Sequence, residues 1–249
     1  MQTDIPKDGL YMGEVFEKFK DLFSRLSFIF VNKRSRRLYD RFEVIDLLMI
    51  TAELPDSSRI GVVDISYGGL FLNAPIEQVS KGLNSDGVGD LKLSAFRSSH
   101  HFKFQVMGAR DGGTAIMFVH EKLEGLAWMR RFVEYLRVGG SMRLHSESRK
   151  GEESIEAYRG PNNTNLFISS KNEIVQRVDL AFSDEGIQSK LEWFENEVIF
   201  SRFDDQDDDS ALALFQGFFL LYAMHKHFNY NNLAVVVGDV RQQLEQTTL

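Results

Sequence analysis

Arg59-Ile60-Gly61-Val62-Val63-Asp64-Ile65-Ser66-Tyr67-Gly68-Gly69-Leu70-Phe71-Leu72 reads as two strands folded about a tight turn. The first half is β-branched and apolar, Tyr67-Gly68-Gly69 supplies turn chemistry, and Leu70-Phe71-Leu72 resumes a strand. The pattern repeats outward. Leu91 to Phe96 and Phe102 to Met107 alternate like half-buried antiparallel strands, and Gly113 to Phe118 follows a turn at Asp111-Gly112. From Glu124 to Val138 the apolar residues Leu126, Met129, Phe132, Val133 and Leu136 recur at helical spacing, with Gly139-Gly140 expected to stop the helix.

Upstream lies a basic cluster, Lys33-Arg34-Ser35-Arg36-Arg37-Leu38-Tyr39-Asp40-Arg41, in which arginine outnumbers lysine four to one. Planar guanidinium groups clamp phosphates bidentately and stack on purine faces, which lysine cannot do. A basic run alone is more often a solvated face. Beside it, however, the turn exposes different chemistry. Asp64 can accept from the Watson–Crick edge of a guanine or pair an arginine, Ser66 can donate to a phosphate, and glycine allows close backbone approach. A hairpin with Asx and Ser turn chemistry would explain the turn without any ligand.

Taken together, the two halves resemble the PilZ family. Arg37 and Arg41 have the RxxxR spacing, and Asp64, Ser66 and Gly69 the DxSxxG spacing, in the family's order. The resemblance covers roughly residues 33–138. It implies a six-stranded antiparallel β-barrel closed by a helix and a receptor for the bacterial second messenger cyclic di-GMP. By analogy, the arginine segment would fold over the ligand, Arg37 and Arg41 binding phosphate and guanine. Asp64, Ser66 and Gly69, with Gly68 beside them, would complete the pocket. Arg36, immediately before RxxxR, implies two stacked ligand molecules per site. Arg34 is an additional candidate, because the basic pattern continues upstream to it.

Composition fits a two-part chain. Its 249 residues exceed the usual ~150 per domain, and a hydrophobic fraction of 43% with 21 Phe is ample for sizeable cores. The longest apolar run, Ala211 to Met224, contains Gln216 and falls short of the ~20 residues that span a bilayer. The start of the chain lacks a secretory pattern, and there is no Cys, so a cytoplasmic location without membrane insertion is expected. Charge is uneven: residues 1–145 hold 20 Lys plus Arg against 18 Asp plus Glu, residues 146–249 hold 9 against 18, and the net charge is −7. One compact basic cluster in an acidic chain suits a small polyanion better than nucleic acid.

The expected organisation is an N-terminal amphipathic helix in residues 1–31, a barrel with its closing helix in 32–143, a polar linker in 144–163, and a C-terminal α+β domain in 164–249. The overall class is thus mainly β, or α+β. The N-terminal helix carries the apolar stripe Met12, Val15, Phe16, Phe19, Leu22, Phe23 and Leu26, which must be buried on its own chain, a second copy in a homodimer, or a protein partner. In the C-terminal part, Asn165 to Ser169, Ile174 to Phe182, Ile187 to Phe194 and Glu197 to Phe203 read as a β-meander. A helix apolar nearly all round follows over Ser210 to His227, and Leu233 to Val237 reads as a last strand.

Catalytic and metal signatures are missing. The acidic run Asp204-Asp205-Gln206-Asp207-Asp208-Asp209 lacks the glycine and distal Glu of an EF-hand, His100-His101 is expected in a loop, and His225 and His227 point to different helix faces. There is no GxSxG, P-loop or HExxH, so the chain reads as a binding protein with no catalytic residue, no metal and no cofactor besides the nucleotide ligand. A PilZ-like interaction scaffold that has lost nucleotide binding is the alternative.

Overall fold

A computed structural model describes residues 41–44, 47, 50–95, 98–119, 123–184, 186–202, 210–228 and 233–246. The helix expected over residues 1–31, the arginines Arg34, Arg36 and Arg37, and the acidic run Asp204 to Asp209 lie outside these residues.

Alternation in the sequence becomes alternation of faces. The strands β2 (Ile50–Glu53), β3 (Arg59–Ser66), β4 (Gly69–Leu72), β5 (Val88–Ala95), β6 (Ser98–Arg110) and β7 (Gly113–Val119) bury Ile60, Val62, Leu70, Leu72, Leu91, Leu93, Phe104, Ile116 and Phe118. Their order is β3-β2-β5-β6-β7-β4, every pair is antiparallel, and the pairing of β4 back onto β3 closes a six-stranded barrel. Closure removes the sheet edges that would otherwise template association. The two-residue strand β1 (Phe42–Glu43) adds to β3, and the short helix α1 (Ile76–Ser80) follows β4. Asp111 and Gly112 both take positive φ, 49° and 77°, as a two-residue hairpin turn between β6 and β7 demands.

The helix α2 (Leu123–Ser141) leaves the barrel and belongs to two layers. On the barrel side, Trp128 packs edge-on to Phe102 at 5.9 Å between centroids and donates from Nε1 to Ser98 Oγ at 3.1 Å. On the other side lies a second sheet, the antiparallel meander β8 (Arg143–Lys150), β9 (Glu153–Arg159), β10 (Asn165–Lys171), β11 (Ile174–Asp184), β12 (Ile187–Phe194) and β13 (Glu197–Arg202). Leu166, Ile168, Val178, Leu180, Phe182, Leu191 and Trp193 are buried on its inner face. Helix α3 (Ser210–Phe228) covers that face and is buried from Ala213 to Met224 without a break. Helix α4 (Leu233–Gln246) is pinned to β12 where Trp193 Nε1 donates to Asp239 Oδ2 at 2.7 Å.

Four expectations are corrected. Residues 144–163 are no linker: β8 and β9 begin the second sheet there, and Tyr39–Leu249 forms one compact unit with a continuous core. Leu233 to Val237 is helical, because Leu233, Val236, Val237, Val240 and Leu244 recur with a helical period that outweighs the local β-propensity of three consecutive valines. His100-His101 lies inside β6, where His100 pairs with Leu93 and His101 with Lys92. The helix also runs through Gly139-Gly140 to Ser141. No helix among the described residues is long and apolar enough to cross a membrane.

Candidate functional site

β1 brings the end of the arginine cluster onto the barrel. Phe42 pairs with Ile65 and Glu43 with Asp64, and Val44 N–H donates to Val63 O at 2.8 Å. Opposite β4, the ladder of β3 slips between Val62 and Asp64, a bulge of the kind that re-aims the next side chain. Arg41, one residue ahead of β1, thereby meets Asp64, its Nη1 donating to Oδ1 at 2.6 Å, with the two side chains 22% and 14% exposed. The last arginine of the basic cluster and the aspartate of the turn, 23 residues apart, are joined by this ion pair.

A third residue, unmarked in the sequence, completes the cluster. Arg110, at the end of β6, holds Nη2 3.8 Å from Asp64 Oδ2 and stacks its guanidinium 4.8 Å from the centroid of Phe71. One carboxylate thus gathers two guanidinium groups. Arg110 stands just before the Asp111-Gly112 turn, where a single arginine has no motif. Only the strand register, which folds β6 and β7 back beside β4, places it near Asp64.

The rest of the turn is committed to the barrel. Ser66 is buried and its Oγ donates to Gly69 O at 3.1 Å, Gly68 O accepts from Phe118 N–H at 2.9 Å, and Gly69 lies against β7. Tyr67 at the turn's tip reaches α2, its hydroxyl donating to Glu134 Oε2 at 3.1 Å. Glu134 in turn accepts from Arg137 Nε at 3.0 Å and from Nη2. Burial, and then the charge of Glu134, push the Tyr67 phenol well above its ordinary range, so it remains a donor. Hydrogen bonding from Arg137 leads the effects that hold the Glu134 carboxyl below its usual value, against the opposing effect of burial. This network couples the motif turn to the helix that both layers share.

The arrangement suits an oxyanion that exchanges with Asp64. Both side chains keep some exposure, 22% and 14%, so an oxyanion can reach the guanidinium and compete with the carboxylate for it.

No protein-family model and no curated protein matches the sequence. Among solved structures the chain is similar to the crystal structure of an uncharacterized protein of Legionella, at 22% identity over 40% of this chain and 95% of that one, with a TM-score of 0.31.

Proposed function

We propose that the chain is a receptor for cyclic di-GMP of the PilZ type, binding the nucleotide with its arginine segment and Asp64 and signalling to a protein partner by conformational change. The observation that carries the proposal is the Arg41–Asp64 pair, in which the second arginine of RxxxR meets the aspartate of DxSxxG on a closed barrel. Arg110 adds a second guanidinium there, and the bond from Tyr67 to Glu134 offers a route from the turn into α2. Arg36 and Arg37 would supply the remaining clamp, and Arg36 favours two stacked ligand molecules.

Isothermal calorimetry with cyclic di-GMP tests the proposal. Binding is expected to weaken at least tenfold in Arg41→Ala, about 1.4 kcal/mol, with the protein still folded. Unchanged affinity in that variant would sink the assignment, and a fitted stoichiometry near one would count against the stacked pair.

A second reading has its own support. Ser66 and Gly69 are explained by turn and barrel packing with no ligand present, as an interaction scaffold without nucleotide binding would require. A folded protein that gives no heat with cyclic di-GMP would favour it.

A further inference from the structure

Arg41 also forms one wall of a cleft of about 540 Å³ between β1, α2, the start of β8 and α3. Its volume falls within the ~300–1,000 Å³ typical of small-molecule sites. Four cations line it, Arg41, Arg137, Arg143 and Lys226, against a single carboxylate, Glu43. This is a local positive excess in a chain of net charge −7. The floor is apolar, made by Leu136, Tyr222 and Ala223, all buried.

Two of the four cations stand against carboxylates. Arg41 faces Asp64 and Arg137 faces Glu134. Arg143 donates from Nη1 to Met142 O at 2.8 Å and Gly140 O at 3.5 Å, neutral carbonyls that leave its charge uncompensated, and no carboxylate pairs with it among the described residues. Lys226 is exposed at the rim, its Nζ 5.8 Å from the Tyr222 ring centroid. An apolar floor with a cationic rim suits an apolar group that carries phosphate, and a flat aromatic base of a nucleotide is such a group.

We propose that the nucleotide held at Arg41 extends into this cleft, its base over the apolar floor and a phosphate bound by Lys226 and Arg143, so that the second half of the chain supplies part of the ligand site. This rests on the receptor reading above. It makes α3 a direct contact of the ligand and gives the signal a path that bypasses the motif turn.

The test is calorimetric titration of the full chain with cyclic di-GMP, comparing wild type with Arg41→Ala, Lys226→Glu, Arg143→Ala and Arg131→Glu. Lys226, Arg143 and Arg131 are exposed, and Arg131 lies outside the cleft, so its variant controls for general charge. Lys226→Glu is expected to weaken binding about tenfold and Arg143→Ala several-fold, with Arg131→Glu within about twofold of wild type. If Arg41→Ala loses binding while Lys226→Glu and Arg143→Ala bind like wild type, the cleft is not part of the site and the receptor reading stands. If Arg131→Glu weakens binding as much as Lys226→Glu, the effect is a diffuse field and the proposal fails. Silence of the wild type overturns both readings together.

Discussion

Gly69 carries no side chain because β7 leaves no room for one: a Cβ there would sit 2.1 Å from Ile116 O and 3.0 Å from Met117 Cα. Both are backbone atoms of a paired strand, so neither can swing aside. Gly69→Ala is therefore expected to cost ~1–3 kcal/mol or more by forcing β4 and β7 apart, read as a lower urea midpoint. A midpoint like that of wild type would show that the barrel parts there freely. The result also bears on the motif, since the clash with β7 accounts for a glycine at this position without any ligand. At this scale the sequence was partly legible. The sequence showed that Asp64 could pair an arginine, but no spacing rule named Arg41 as the partner. Ser66 did not announce that its hydroxyl would be spent on Gly69 O, and Arg110 could not be found without the register of three strands.

Elements were legible where one face is apolar and one polar, as in β3, β5, β7 and α2. They were misread where that contrast is absent. β8 is exposed along its whole length, so its polar letters resemble a loop although it pairs with β9 from end to end. In α4 the local valine run masked a longer helical period. Gly139 is the sharpest case: a helix stop in the sequence, it is in fact the contact point of two helices. A Cβ on Gly139 would lie 2.4 Å from Leu220 O and 3.0 Å from Ala223 Cβ. Alanine in place of glycine favours a helix by ~1 kcal/mol, but here the clash with the backbone of α3 should outweigh it. Gly139→Ala is expected to lower the melting temperature by several degrees, whereas a rise would mean that α2 and α3 separate without cost.

The whole molecule departs most from the sequence reading, because a core shared between two sheets leaves no mark on local composition. Buried residues run without interruption from the barrel through α2 to α3 and the second sheet. The two tryptophans sample both sides, Trp128 against the barrel and Trp193 on β12. Trp128→Phe and Trp193→Phe variants, each with one emitter left, should then unfold in urea at midpoints that agree once corrected for each substitution's own effect, as one cooperative unit requires. Well-separated transitions would instead show two independently folding layers. The placement of α2 also has a consequence in time. Its inward face is made early, but the helix that covers it comes about 70 residues later, a delay of several seconds at ~5–20 residues per second of synthesis. During that interval the nascent chain displays Phe132 without the Phe219 that later packs on it, so the newborn protein passes through a stage in which its central helix carries an uncovered apolar stripe.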